Sequence, residues 1–280
     1  TAFNDNGIDV LVLKGAALVE RVYPHPGLRP MEDIDLLVKK EDIGEIKKIL
    51  SQLGYNLYSA GEWTFIKRVA ENFPPVVLDL HERIWYTTDT QEIWQDAVTS
   101  EIADVKTRIL SLEGELIYLA AHQVVHHGKA GFVCLEDVRR IIQYYVDKIN
   151  WSKVVAKIQK YGLTVPIFFA FSRLKDEVPL EVVNEIQPKG FLLPKVYQFI
   201  LNLPPQDDIG HFLRPLCFSG GYAKIRFLYD FFFPGKDFLK RRYGLTAGFA
   251  ILLFSIFRPL FLLFKATKLL HQFLFTIIHN

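Results

Sequence analysis

Sulfur-containing side chains are scarce in this chain of 280 residues, which has two cysteines and one methionine. Cys134 and Cys217 are far apart and lack the close spacing of zinc-binding cysteines. This content excludes a small disulfide-dependent secreted protein and is typical of a reducing cytosol. We therefore expect a cytoplasmic protein in which both cysteines are ordinary thiols.

The N-terminal residues also lack a recognisable leader. Residues 1–7 contain no basic stretch followed by an apolar run, which is the pattern of a secretory signal peptide. The single methionine, Met31, lies well inside the chain. We expect that residues preceding Thr1 are missing from the sequence.

No uninterrupted apolar run has the length of a membrane-spanning helix. The charge-free segment 245–257 would extend about 20 Å as a helix, whereas the apolar core of a bilayer is about 30 Å thick. Arg258 and Pro259 separate it from a second apolar stretch, 260–278. Two interpretations of this tail stay open: peripheral contact with the inner face of a membrane, or a helical hairpin packed on the domain or on a partner protein.

Overall composition excludes few other classes. Hydrophobic residues make up 50% and charged residues 23%, so general disorder is excluded. The net charge of +2 neither requires nor excludes a nucleic-acid partner, because local clustering decides phosphate binding. The length allows one or two domains.

Periodicity predicts an α+β region followed by helices. Apolar runs and turn residues predict strands at 8–13, 33–38, 55–58, 63–69 and 76–81, and helices at 16–23 and 42–53. Asp42 and Glu45 have capping-box spacing, and Gly54 is placed to end that second helix. From Thr90 onward the pattern becomes helical, with helices expected at 113–127, 134–147 and 151–161.

Three aspartates form the candidate catalytic group. Asp33 and Asp35 alternate along a predicted strand, so their side chains share one face roughly 7 Å apart. Like charges so close together favour a hard divalent cation between them. Asp79, between Leu78 and Leu80, lies on a strand that can pair beside them. Three carboxylates can hold two Mg²⁺ ions, with Mn²⁺ as the alternative, although a solvated sheet edge also explains an isolated Asp-x-Asp pair.

A glycine turn precedes these aspartates. Lys14, Gly15 and Ala16 lie where a predicted strand passes into a helix. Main-chain amides at such a turn, the helix dipole and the lysine charge favour a phosphate group. Divalent ions next to a triphosphate would promote attack by a hydroxyl and neutralise a pyrophosphate leaving group.

Three histidines are further candidates for a role facing the substrate. His122 and His126 are four residues apart on a predicted helix, which is zinc-ligand spacing, but Gln123 stands where zinc proteases have glutamate. Zinc-binding, substrate-facing and structural roles therefore stay open. His81 shares a strand face with Asp79, and it lies near the site or on the surface. The basic clusters 139–140 and 240–242 favour a solvated face, with RNA guidance as the alternative.

The motifs resemble those of the polymerase-β-like nucleotidyltransferase superfamily. The resemblance is carried by Leu13-Lys14-Gly15-Ala16-Ala17-Leu18 and by Arg29-Pro30-Met31-Glu32-Asp33-Ile34-Asp35-Leu36-Leu37-Val38. More narrowly, most of residues 8–245 resembles the bacterial group called nucleotidyltransferase family proteins. Further segments that share this resemblance are residues 78–81, His122 with 126–127, 135–137, Trp151, 233–235 and 241–243.

The resemblance implies a fold, an activity and residue roles. It implies a catalytic domain at 1–100 with a mixed sheet flanked by helices, a mainly helical substrate or cap region at 101–244, and an apolar helical tail at 245–280. The implied reaction moves a nucleoside monophosphate from a nucleoside triphosphate, such as ATP, to a hydroxyl on RNA, a protein or a small molecule.

In the same superfamily pattern, Asp33 and Asp35 would ligate both metals, and Asp79 would hold the catalytic metal and help activate the acceptor. Lys14, Gly15 and Arg29 would bind the triphosphate, while Ala16 departs from the serine or glycine of many members. A non-catalytic nucleotide-binding or membrane-associated accessory protein is the alternative, and a zinc hydrolase is a third hypothesis.

Overall fold

A computed structural model describes most of the chain. The described residues are 1–59, 63–84, 87, 90–127, 132–189, 192–203 and 248–278, with a few isolated residues between 229 and 244. The segments around Phe233-Pro234-Gly235 and Arg241-Arg242-Tyr243, together with the basic cluster 240–242, lie largely outside this description.

A seven-stranded mixed sheet forms the first half of the molecule. Its strands are β1 (Val10–Val12), β2 (Ile34–Val38), β3 (Asn56–Ser59), β4 (Thr64–Lys67), β5 (Val76–His81), β6 (Val98–Ile102) and β7 (Val105–Ile109). The order across the sheet is β3-β4-β5-β2-β1-β7-β6. As expected, β2 is central and β3, β4 and β5 form an antiparallel extension. The parallel pairing of β2 with β5 places the third aspartate.

The β6–β7 hairpin corrects the sequence-based expectation of helix from Thr90 onward. Only Thr90–Asp96 (α4) is helical there, and the chain then turns back at Ala103 and Asp104, which have φ of +50° and +59°. Such dihedrals are typical of a tight hairpin turn, which usually has the sequence Asn-Gly. The sequence Ala-Asp therefore does not predict a hairpin here. Because β7 pairs with β1, the sheet extends to Ile109. A boundary at residue 100 would pass through β6, and we propose that the first domain ends after β7.

The helices α1 (Ala2–Asp5) and α3 (Ile43–Gln52) cover one side of the sheet. The short helix α2 (Lys14–Leu18) lies on the opposite side, where Leu18 is part of the core of the helical half. The face of α3 with Ile43, Ile46 and Leu50 packs in one core with Leu36 and Leu78. Gly54 ends α3 as expected, with φ of +82°. The expected capping box is wrong: Asp42 has helical dihedrals and makes no side-chain cap, because a 3₁₀ turn (Lys40–Asp42) precedes the helix.

Helices pack against the other side of the sheet. They are α5 (Leu112–His122), a π-helical turn (Gln123–His127), α6 (Phe132–Tyr144), α7 (Trp151–Lys160), α8 (Thr164–Phe171), α9 (Leu180–Glu185) and α10 (Leu192–Asn202). Their core includes Leu11, Leu13 and Leu37 of the sheet. Since alternate residues of β2 point to opposite faces, Asp33 and Asp35 share the side of Leu37 and face this helical half. The expected α+β fold with a mainly helical second region is confirmed.

The C-terminal segment forms one long helix, α11 (Gly248–Ile278), so a helical hairpin there is wrong. Pro259 lies inside the helix and does not end it. None of the helices among the described residues has the length and apolar content needed to cross a membrane.

Candidate active site

The three predicted aspartates converge at the centre of the sheet. Parallel pairing of β2 and β5 aligns Asp35 directly with Asp79, and Asp33 lies just before β2. One carboxylate oxygen from each of the three lies within 4.8 Å of the others. Asp33 and Asp35 therefore approach each other more closely than the roughly 7 Å that separates alternate residues of one strand. The three aspartates form a group with the donor atoms that hard divalent cations prefer.

Asp35 is the most buried member of the group and has two cationic or polar neighbours. Its side chain is 3% exposed, and its Oδ1 accepts hydrogen bonds from Lys14 Nζ at 2.8 Å and His81 Nε2 at 2.7 Å. Burial by itself would raise the pKa of Asp35, but the His81 hydrogen bond and the Lys14 charge outweigh it and hold the pKa below its usual range. Asp35 is therefore a carboxylate at neutral pH.

The negative charges of Asp33 and Asp79 have fewer compensating contacts among the described residues than the charge of Asp35 has. Burial, followed by the nearby charge of Asp35, raises the pKa of Asp33 above its usual range. Asp79 Oδ1 is buried and has no hydrogen-bond partner among the residues that the structure describes. A buried carboxylate oxygen without a partner costs stability, and a bound cation would remove that cost. This chemistry fits a divalent metal.

The glycine turn contacts the aspartates through Lys14. Lys14 follows β1 and begins α2 with φ of +51°, which is uncommon for a residue with a side chain. Gly15 is buried, and a Cβ there would lie 2.9 Å from Met31 Cγ and 3.0 Å from Arg29 Cζ. A larger residue at this position would therefore displace the side chains of Met31 and Arg29 in the loop before β2. Ala16, next to it, is half-buried.

Arg29 is held by a residue that sequence reasoning did not select. Its Nε and Nη2 each donate to a carboxylate oxygen of Asp137 at 2.8 Å, and its Nη1 donates to Pro30 O. Tyr23 donates its hydroxyl to the same Asp137 at 2.6 Å. Asp137 is completely buried on α6. Its position within the apolar stripe of α6 is the sequence signal that could have identified it.

The remaining predicted residues lie elsewhere. His122 is half-buried at the end of α5, with its ring 5.9 Å from that of Tyr118. The side chain of His126 is outside the described residues, so the zinc hypothesis stays a prediction. Among the residues that the structure describes, the three aspartates are the one group of potential metal ligands. The basic pair Arg139 and Arg140 is engaged by Glu136, which leaves little charge for RNA.

Comparison with known proteins supports the resemblance. The model of a family described as "Uncharacterised nucleotidyltransferase" matches residues 1–176, which include the whole sheet and the three aspartates. The comparison with curated proteins found no match. Among solved structures, an antigenic nucleotidyltransferase-like protein from Paracoccidioides brasiliensis is similar, with 17% identity and a TM-score of 0.40 over 56% of this chain and 83% of that chain. Because the family model spans well over half of the sequence, the chain belongs to this family of uncharacterised nucleotidyltransferases.

Proposed function

We propose that this protein transfers a nucleoside monophosphate from a nucleoside triphosphate to an acceptor hydroxyl, with Asp33, Asp35 and Asp79 as its metal ligands. The observation that carries the proposal is that one carboxylate oxygen from each aspartate lies within 4.8 Å of the others. In addition, Asp79 Oδ1 is buried and has no hydrogen-bond partner among the described residues. The family supports nucleotidyl transfer in general. Mg²⁺ is the proposed ion, with Mn²⁺ as the alternative.

Each aspartate contributes a distinct property to the proposed site. Lys14 and His81 both contact Oδ1 of Asp35, so among the described residues Oδ2 is the oxygen left for a cation. The raised pKa of Asp33 reflects its burial and then the nearby charge of Asp35, and a bound cation would offset both effects. When bound, divalent ions would neutralise the triphosphate and lower the pKa of the attacking hydroxyl. The proposed reaction is an in-line phosphoryl transfer that two such ions would assist.

Lys14 is proposed to have two partners in turn. In the structure its ammonium group neutralises Asp35 at 2.8 Å, and its side chain is 18% exposed at the edge of the site. A cation on Asp35 would compete with this ion pair and release Lys14 toward the triphosphate. The main-chain amides of Gly15 and Ala16, in the first turn of α2, are proposed as further phosphate donors.

Arg29 is proposed to support the site chiefly through the loop before β2. Its bidentate pair with Asp137 uses the fork of the guanidinium group, and Met31 of the same loop packs on Gly15. We also propose that the N–H groups of Arg29 that are not used in the bonds to Asp137 and Pro30 contact the phosphates directly. We propose that the helical half, which the aspartates face, selects the acceptor among RNA, protein and small-molecule hydroxyls.

The test is nucleotidyl transfer in the presence of many acceptors. Purified protein is incubated with each α-labelled nucleoside triphosphate, Mg²⁺, total RNA and a cell lysate. We expect label on an acceptor with the wild type and a loss of roughly a hundredfold or more with Asp79→Asn. Asp79 suits this test because its Oδ1 has no described partner, so the amide removes charge without breaking a hydrogen bond there. Asp176→Asn, at an exposed position, is the matched control.

A second candidate function follows from the contacts of Asp35. Its charge is already compensated by Lys14 and His81, so the fold does not depend on a metal for this carboxylate. Such a site is compatible with a non-catalytic nucleotide-binding protein. Binding of nucleoside triphosphate by the wild type, with no label transferred to any acceptor and no pyrophosphate released, would favour this alternative over the enzyme.

A further inference from the structure

Helix α11 has a continuous apolar stripe that faces solvent. Its residues are large and mostly exposed: Phe249 72%, Leu252 58%, Ile256 59%, Leu260 62% and Phe264 62%. Their spacing of three or four residues places them on one face of an α-helix. This face extends about 22 Å along the helix axis. In soluble proteins, an exposed apolar patch of this size usually marks a surface that binds a partner.

The opposite face of α11 is buried, so the exposure is not that of a helix detached from the protein. Ile251 is 5% exposed, Leu262 4% and Arg258 2%. These residues lie on the other side of the same turns that carry Leu252, Ile256 and Leu260. The helix thus uses one face for its own packing and exposes the other, which we call the apolar stripe (Phe249, Leu252, Ile256, Leu260 and Phe264).

The charge of the surrounding segment indicates which partner. Residues 238–280 contain no aspartate or glutamate, although the whole chain has 31 acidic and 33 basic residues. The basic residues of this segment are Lys240, Arg241, Arg242, Arg258, Lys265 and Lys268. A helix with an apolar face and exclusively basic charge complements a layer of anionic lipid headgroups above an apolar interior.

We propose that α11 binds in the interface of an anionic lipid bilayer, parallel to its surface. The apolar stripe enters the boundary between headgroups and acyl chains, and the basic residues of 238–280 other than the buried Arg258 supply attraction to lipid phosphates. Amphipathic helices that bind in this way bury their apolar face by about 5–10 Å. This binding is independent of nucleotidyl transfer, and it would hold the protein at a membrane whether or not the acceptor is there.

The first experiment is flotation of the full chain with vesicles. We expect the wild type to float with phosphatidylcholine–phosphatidylglycerol vesicles and to bind phosphatidylcholine vesicles weakly. Phe249→Glu should reduce binding to the anionic vesicles roughly tenfold or more, since it places a charge in the apolar stripe. The matched control is Phe73→Glu, because Phe73 is 69% exposed but lies outside α11. Circular dichroism checks that both variants remain folded.

The second experiment tests the charge. Lys265→Gln with Lys268→Gln should weaken binding to anionic vesicles by about fivefold per lysine, and added salt should weaken it further. Lys48→Gln with Lys175→Gln, two exposed positions outside the segment, should leave binding unchanged. Equal binding of the wild type to both vesicle compositions would contradict the proposed role of anionic lipid.

Two other outcomes would overturn the proposal. One is a folded wild type that floats with neither kind of vesicle. The other is a dimer, measured by light scattering, that Phe249→Glu converts to a monomer while vesicles capture neither form. That second result would assign the apolar stripe to another copy of this chain.

Discussion

Asp35 combines the deepest burial and the strongest electrostatic contacts at the candidate site. A carboxylate that is 3% exposed is stable here because Lys14 and His81 both donate to its Oδ1. The sequence indicated Asp35 and Lys14 as separate functional residues. Only their spacing in the folded chain shows that the lysine neutralises the aspartate.

The substitution Asp35→Asn should lower the free energy of unfolding by about 1–3 kcal/mol, because it leaves Lys14 without its charged partner. The folded-state pKa of Asp35 is lowered, so its contribution is present above the ordinary pKa of about 4 and is lost as the pH falls through the folded pKa. Urea denaturation at several pH values measures this. The difference between wild type and variant should therefore shrink below about pH 4. A difference that persists in acid would contradict the assignment.

Cys134 should be an unreactive thiol. Burial, followed by the charge of Asp137, raises the pKa of Cys134 to about 11. At pH 8 its thiolate fraction is then roughly a hundredfold smaller than that of an exposed cysteine. The measurement is iodoacetamide labelling of a Cys217→Ser variant, in which Cys134 is the one remaining cysteine. Labelling should be slow in the native protein and fast in urea, and equal rates would show that the site is open.

At the scale of elements, the turn between β6 and β7 forms without the residues that usually favour such a turn. Ala103 and Asp104 both have positive φ, a conformation that alanine rarely adopts. The main-chain N–H of Ala103 donates to Glu20 Oε2 at 2.8 Å, which ties the turn to the segment after α2. The pairing of β7 with β1 and this bond therefore maintain a turn that the local sequence does not favour.

Replacing Ala103-Asp104 by Asn-Gly should stabilise the protein by about 1 kcal/mol, because both residues tolerate positive φ. The backbone bond to Glu20 is unaffected, since it uses a main-chain donor. Ala103→Val is the opposing control and should destabilise, because a β-branched residue is strained at positive φ. Urea midpoints of the three proteins decide the prediction, and an Asn-Gly variant less stable than the wild type would contradict it.

At the scale of the whole molecule, buried ion pairs join the sheet to the helices. Arg29, in the loop before β2, is paired with Asp137 of α6, and Arg21 is paired with Glu115 of α5 at 2.9 Å. These contacts span more than 90 residues of sequence. Burial raises the pKa of Glu115 to about 7, although the charge of Arg21 opposes this effect. The loop that leads into β2 and carries Asp33 thus depends on the helical half for its position.

The Arg29–Asp137 pair should show strong coupling in a double-mutant cycle. Arg29→Met or Asp137→Leu alone leaves one buried charge uncompensated and should cost about 3–5 kcal/mol. The double variant removes both charges and should cost much less than the sum of the single changes. Unfolding in urea measures all four proteins. Additive costs would show that the two side chains act separately.

Nucleotide affinity provides a second readout for this pair. If Asp137 positions the loop before β2, Asp137→Leu should weaken binding of a nucleoside triphosphate under conditions where the variant is still folded. A variant that is less stable but binds nucleotide normally would limit the pair to a structural role.

Local sequence pattern was enough to predict the central strand, the three aspartates, the glycine turn and the helical character of the second half. These features depend on local alternation, turn residues and apolar periodicity, which act between near neighbours in the chain. The folded chain was needed to show which strand lies beside β2, that His81 and Lys14 share one oxygen of Asp35, and that Asp137 binds Arg29. Strand pairing and buried ion pairs join residues that are distant in sequence, and local pattern carries no information about such partners.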